Sequence, residues 1–296
     1  MTHFPSASPP RKAKGEHLLR WLTASLIIPP LFLLICYGSQ FLFASFIVLV
    51  ALAAAYEYGA ITLGENAFLE RALLLGITPL TIAMFHLGNF LGIVAIVVLT
   101  MLMAFCISIR NFGFAKNPVV DNPVNNSANN SVNFDTSRPM TLVFGLVYIP
   151  LALAHIVGLR TEGIIWVFFA LVFPMIGDTA AFYIGKNWGR RKLAPLLSPH
   201  KTVEGFIAIP ISALLGGGVF AYFLLPEVSF YHIAIITVVG SILGQIGDLC
   251  ESLLKRARGL KDSSSILPGH GGVLDRIDSL LFVFPFVYYY KVFLLG

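Results

Sequence analysis

Residues 252–278 bring acids, bases and glycines together: Ser252, Lys255, Arg256, Arg258, Lys261, Asp262, Pro268, Gly269, His270, Gly271, Gly272, Asp275, Arg276 and Asp278. Just upstream, Ser241, Gly244, Gln245, Asp248, Glu251, Ser252 and Lys255 recur at spacings of three and four. On a helix that spacing makes one continuous polar or small-residue face. The rest of that stretch is Ile, Leu and Val. A carboxylate in such surroundings costs several kcal/mol unless it faces a protein interior or a wet cavity. The plain alternative is a packing seam, since Gly240 and Gly244 have GxxxG spacing. A seam accounts for the glycines and leaves Asp248 and Glu251 unexplained.

Asp275 and Asp278 sit three apart where the last apolar run begins. Either acid alone could simply complement a helix N-terminus. Glycines just before such a terminus let backbone N–H groups approach an anion. His270, Arg276, Lys255, Arg256, Arg258 and Lys261 surround Gly271-Gly272 with positive charge. A third group lies at 177–205. Gly177-Asp178 falls inside an apolar run, and Ser198-Pro-His200-Lys201-Thr202-Val-Glu204-Gly205 precedes another. Ser198 or Thr202 would cap that next helix. His86, His155 and His232 read as structural.

The elements that carry these residues must be membrane helices. Hydrophobic residues make up 57% of the chain and charged residues 12%, against about 25% charged in a soluble domain. A soluble fold could not hide that much apolar surface. Against a hydrocarbon core of about 30 Å, nine apolar windows stand out, at roughly 21–38, 40–62, 72–88, 90–110, 139–158, 163–185, 205–225, 229–254 and 274–295. Lipid offers no partner for free backbone groups, so each must be helical. The expected fold class is therefore all-α, a polytopic membrane protein with its N-terminus cytoplasmic. With that orientation, all of the 20 Lys and Arg except Arg160 and Lys291 fall on the inner side, as topology rules require. The net charge of +5 then reflects inner loops rather than nucleic acid. Cys36, Cys106 and Cys250 lie in apolar runs without CxxC spacing, which suggests neither disulfide nor zinc site. The basic N-terminus and the apolar run from Trp21 read as an uncleaved first span.

Three regions follow: a cytoplasmic tail at 1–20, a transmembrane scaffold at 21–160, and a transmembrane catalytic region at 161–296. Before residue 160 the windows hold almost no ionisable group beyond Glu57. Residues 117–137 are rich in Asn and Ser and read as a disordered cytoplasmic insertion in the scaffold.

Acids suited to a hard cation, bases suited to phosphate and glycine turns thus gather at one membrane boundary. Mg²⁺ takes carboxylates and phosphate oxygens and keeps several waters. The implied chemistry is phosphoryl or nucleotidyl transfer with one partner in the membrane. The residues alone do not choose the substrate.

Ser252 to Asp278 closely resembles the signature of the phosphatidate cytidylyltransferases, or CDP-diacylglycerol synthases. That signature is S-x-L-K-R, four residues, K-D, then P-x-H-G-G-x-x-D-R-x-D. Gly247-Asp248-Leu-Cys-Glu251-Ser252 and Ser198 to Gly205 are similar to further family features. Residues 177–280 carry the likeness. The chain departs in having Asp178-Thr-Ala-Ala-Phe182 where the family often has Asp-Thr-Gly-Ala-Tyr, and in the Asn-rich insertion. The resemblance implies that CTP and phosphatidate give CDP-diacylglycerol and pyrophosphate with Mg²⁺, at a cell inner membrane, the site facing the cytoplasm. It implies Asp248 and Asp275 as metal-binding pair. Lys255, Arg256, Lys261, His270 and Arg276 would hold phosphates, and Gly271 and Gly272 would let the loop approach the nucleotide. Ser198, Lys201, Thr202, Glu204, Ser252, Asp262, Asp278, Asp178 and Glu251 complete the substrate-binding set. A monovalent cation beside Mg²⁺ and a homodimer are left open.

Two rivals stand beside this. One is a related transferase acting on another lipid phosphate or a lipid alcohol. The other is an ion-coupled transporter using Asp178 and Asp248 as its pathway, against which the lack of an internal repeat weighs. The insertion is open to a direct check. Deleting residues 119–135 should leave membrane insertion and activity near wild type, because a polar loop contributes no packing. Loss of activity in a well-inserted deletion variant would contradict this.

Overall fold

The computed structural model describes residues 14–64, 67–113, 137–264, 266 and 271–296. Of the residues singled out above, His270 lies outside these, as do Pro268, Gly269 and all of the Asn-rich stretch except Ser137. The described chain is almost entirely helical. In order the helices are α1 (Lys14–Tyr37), α2 (Gln40–Thr62), α3 (Phe68–His86), α4 (Phe90–Gly113), α5 (Ser137–Leu146), α6 (Ala152–Glu162), α7 (Ile164–Trp188), α8 (Val203–Leu224), α9 (Phe230–Ala257), α10 (Leu274–Ile277) and α11 (Leu280–Tyr290). A π turn, Val147–Leu151, joins α5 to α6 around Pro150. A second π turn, Lys291–Leu295, extends α11.

Among the described residues, seven helical stretches are long and apolar enough to cross a membrane; Ile28–Tyr37 and Leu280–Leu295 are shorter apolar helices. Together these occupy the nine windows read from the sequence, and the fold is the all-α polytopic class. Large apolar side chains such as Leu91, Leu99, Ile109, Leu215 and Phe223 are exposed, as suits lipid in place of water. The α5–α6 rod is the central element, with 78% of its apolar window buried. It packs on α2, α3, α7 and α11. Leu142, Leu146, Ile149, Leu153 and Tyr58 fill the core around it, and the Tyr58 hydroxyl donates to the Thr141 carbonyl at 2.8 Å. On the other side α7, α8, α9 and α11 pack in sequence.

Two features depart from the sequence reading. The basic loop at 186–203 contains a small antiparallel hairpin, β1 (Lys192–Ala194) with β2 (Ser198–Thr202). Three-residue alternation is too short a pattern to announce a strand. The last window is also not one helix. It breaks after Ile277, where the Asp278 carboxylate accepts the Ser279 N–H at 2.7 Å.

Charge is sorted between the two ends of the bundle. At one end buried Arg160 donates to the Ile35 and Gly38 carbonyls and to Gln40 Oε1, a cation placed on the C-terminus of α1. Glu162, two residues after Arg160, pairs with Lys291 at 3.8 Å. The hairpin and the α9–α10 connection lie at the ends of helices running the opposite way. A topology test follows. In a background lacking Cys36, Cys106 and Cys250, Leu196→Cys at the hairpin turn should react with an impermeant maleimide only from the cytosol. Glu227→Cys, between α8 and α9, should react only from outside. Cytosolic labelling of Glu227→Cys would break the nine-span arrangement.

Candidate active site

Helix α9 organises the site. Its seam face carries Gly247, where a Cβ would stand 2.5 Å from the Asp278 carbonyl oxygen. Only glycine allows α9 to lie this close to the start of the last helix. The next face carries Gln245, Asp248, Glu251, Ser252 and Lys255, and it meets polar groups from α7, the β1–β2 hairpin and α10.

The first layer is a cavity of about 650 Å³ between α7, the hairpin, α8 and α9. Across it runs a chain of polar contacts. Asp178 Oδ1 accepts from Gln245 Nε2 at 2.8 Å. Lys201 Nζ donates to Gln245 Oε1 at 3.1 Å and pairs with Asp248 Oδ2 at 2.7 Å. Ser252 Oγ stands 3.5 Å from the other Asp248 oxygen. Lys186, Lys192 and His200 also line this cavity. The cavity therefore combines basic side chains with the carboxylates of Asp178 and Asp248.

The hairpin presents Lys201 by a short set of local bonds. Thr202 caps α8 by accepting the Gly205 N–H at 3.2 Å, as the capping reading had it. Glu204 accepts the Arg190 N–H at 3.0 Å and the Arg191 N–H at 3.3 Å. Ser198 pairs with Ala194 in the hairpin register. Arg256 Nε donates to the Leu197 carbonyl at 3.1 Å and its Nη1 to the Leu260 carbonyl at 2.9 Å. Arg256 therefore ties the hairpin to the end of α9.

The second layer lies in the α9–α10 connection. Lys255 Nζ is clasped between the carboxylates of Glu251 and Asp275, the latter at 2.6 Å. Asp275 Oδ2 also accepts from the Gly272 N–H at 2.9 Å and from the N–H and hydroxyl of Ser263, each at 3.0 Å. Asp275 precedes the last apolar helix, and burial alone would favour its neutral form. The Lys255 ammonium, the Gly272 N–H and the Ser263 N–H outweigh that and hold the carboxyl down at about 2. The two carboxylates that the resemblance pairs for a metal thus fall in different layers: Asp248 lines the cavity, and Asp275 is not among its lining residues.

Behind the second layer stands Glu57 of α2, 1% exposed. Its carboxylate accepts four hydrogen bonds, from Ser263 Oγ at 3.0 Å, Ser264 Oγ at 2.6 Å, Val273 N at 2.9 Å and Leu274 N at 2.7 Å. Sequence reasoning placed Glu57 in the scaffold. Its one signal was that it is an isolated acid in an otherwise apolar window. The Gly271-Gly272 pair has a local reason too. Gly271 has φ +81°, which disfavours other residues. A Cβ on Gly272 would stand 1.9 Å from Ser263 Oγ and 2.6 Å from Glu57 Oε2. Lys261, Asp262 and Arg276 are exposed at the edge of this layer.

The sequence profile of the cytidylyltransferase family matches residues 18–294, so the chain belongs to that family. Curated relatives agree. The phosphatidate cytidylyltransferase of Bacillus subtilis (strain 168) is 40% identical over 163 residues, covering 54% of this chain and 60% of that protein. Those of Staphylococcus saprophyticus and Staphylococcus haemolyticus are 41% and 38% identical over 143 residues, covering 48% of this chain and 55% of each. The chain thus spans little more than half the length of the curated relatives it matches.

The crowding at Gly272 can be measured. Gly272→Ala should force the connection out of place, and overpacking of this kind costs about 1–3 kcal/mol. The expected readout is a lower midpoint of thermal unfolding in detergent. An unchanged midpoint would contradict the packing described.

Proposed function

We propose that the chain is a phosphatidate cytidylyltransferase, joining CTP and phosphatidate to give CDP-diacylglycerol and pyrophosphate in phospholipid biosynthesis. The observation that carries this reading is the cavity. It is lined by the carboxylates of Asp178 and Asp248, linked through Gln245 and Lys201, and by Lys186, Lys192 and His200. The names of the relatives supply the substrates.

The reaction needs little acid–base help. One oxygen of the phosphatidate phosphate attacks the α-phosphorus of CTP, a new P–O bond forms, and the bond to the bridging oxygen breaks as pyrophosphate leaves. The attacking monoester is already mostly ionised near neutral pH. The obstacle is repulsion between two polyanions. Lys201, Lys186 and Lys192 offset that charge in a site where the field is weakly screened. Their position at a membrane boundary lets CTP arrive from the cytosol while phosphatidate stays in the bilayer.

The residues present fit Mg²⁺. Asp178 and Asp248 are hard oxygen donors at one cavity. Among the described residues no group of three or more His, Cys, Asp or Glu is arranged to hold a metal ion. An ion here would complete its shell with triphosphate oxygens and water, as Mg²⁺ commonly does. When bound it would neutralise charge on the triphosphate. Asp248 would hold it, with Asp178 the second carboxylate of the cavity. Asp275 of the expected pair has its oxygens engaged by Lys255, Gly272 and Ser263, so its part is to fix Lys255 and the connection.

Purified protein supplied with labelled CTP and phosphatidate should release pyrophosphate and form CDP-diacylglycerol. Asp248→Asn keeps the shape and removes the charge, and should lower kcat by about a hundredfold or more, the scale of losing a principal electrostatic group. Near-normal turnover of Asp248→Asn at low Mg²⁺ would overturn the assignment.

A further inference from the structure

Glu57 is the most heavily engaged carboxylate among the described residues that no step above uses. It sits on α2, in the half of the chain that otherwise lacks ionisable groups, and reaches a segment more than 200 residues away. No cation is among its four hydrogen-bond donors. Its four partners are two backbone N–H groups and two serine hydroxyls. Such a set gives every lone pair of the two oxygens a donor within hydrogen-bond distance.

The geometry points to Glu57 as a positioning residue for Asp275 and, through it, for Lys255. Three observations carry this. First, Val273 N and Leu274 N are the amides that open α10 (Leu274–Ile277), so Glu57 fixes where that short helix begins and hence where Asp275 stands. Second, Ser263 Oγ lies 3.0 Å from Glu57 Oε2 and 3.0 Å from Asp275 Oδ2. A hydroxyl carries one proton, so the two carboxylates compete for one donor and their positions are coupled. Third, the other end of the connection is tied to the same helix. Arg258 Nη2 donates to the Thr62 carbonyl at 2.6 Å. The α9–α10 connection is thus pinned at both ends to α2.

The pattern of partners makes the carboxylate hard to replace. Each oxygen accepts one backbone N–H and one serine hydroxyl: Oε1 from Val273 and Ser264, Oε2 from Leu274 and Ser263. In Glu57→Gln one oxygen becomes an NH₂ group. Whichever way the amide turns, that NH₂ faces a backbone N–H that cannot accept from it. A serine hydroxyl could rotate to accommodate it; an amide cannot. The substitution keeps the volume and breaks the clamp.

This inference rests on the proposed cytidylyl transfer only for the meaning of activity, and the test separates the two. Wild type, Glu57→Gln, Asp275→Asn and the double variant are compared in nanodiscs by two readouts. One is kcat for pyrophosphate release from CTP and phosphatidate. The other is amide hydrogen exchange in residues 271–275. Glu57→Gln should lower kcat about 10- to 100-fold, the usual effect of losing a group that orients a primary one. It should remove exchange protection at Val273 and Leu274 while α7 and α8 stay protected. The double variant should be little worse than Asp275→Asn alone, because residues acting as a unit are not additive. A merely structural Glu57 would give losses that multiply. Multiplied losses, or normal kcat with a protected connection, would overturn the inference. If Glu57→Gln does not fold, Ser263→Ala removes only the shared hydroxyl. It should lower kcat about tenfold and expose the same amides; wild-type behaviour there would overturn the inference equally. If wild type releases no pyrophosphate, the proposed reaction fails. The exchange data then decide the clamp alone: coupled loss of protection supports it, and its absence refutes it.

Discussion

A carboxylate held away from water must be surrounded by donors or by positive charge, and most of this structure's polar architecture answers that demand. Burying a charge in a low-dielectric bundle costs several kcal/mol unless it is paired and hydrogen-bonded. Glu57 is satisfied by four N–H and O–H donors without a cation. Asp275 is satisfied by Lys255 and by donors of the same connection. Asp248 and Asp178 differ. Asp178 bonds Gln245 and Asp248 pairs with Lys201, those two partners bond each other, and both carboxylates line a cavity that a ligand can enter. The inner layer is closed and fixes geometry; the outer one is open and is where chemistry can occur.

That division changes the part played by the N-terminal half. A helix bundle could support the cavity by apolar packing alone. Here α2 instead contributes two polar ties, Glu57 to the start of α10 and the Thr62 carbonyl to Arg258. Ser263, Ser264 and the start of α10 are docked on α2, which is in turn packed on the buried α5–α6 rod. Precision at the site is therefore drawn from a helix far away in the chain.

The sequence made the fold legible because lipid imposes so strong a rule. Apolar windows had to be helices, and each of the nine windows holds a helical segment. What it hid was short or relational. The β1–β2 hairpin is three and five residues long and shows no periodicity; in the fold Arg256 holds the Leu197 carbonyl in its turn and Glu204 holds the Arg190 and Arg191 amides before it. The face from Gln245 to Lys255 was readable from helical spacing, as was the cap at Thr202. The roles of Glu57 and Gly272 were not readable. A single acid in an apolar window looks the same whether it packs idly or clamps a distant loop, and only the folded chain brings residue 57 to residues 263–274. The resemblance gave Arg256 a phosphate-holding role; in the fold its guanidinium also donates to the Leu197 and Leu260 carbonyls.

The central claim is that the cavity between α7, the hairpin, α8 and α9 receives the triphosphate, above a connection fixed by α2. The most direct measurement is an experimental structure of the full chain with CTP and Mg²⁺ bound. The account predicts the triphosphate among Lys186, Lys192 and Lys201, the ion on Asp248, and Glu57 still holding the Val273 and Leu274 amides. A nucleotide seated elsewhere, or an ion held without Asp248, would contradict it.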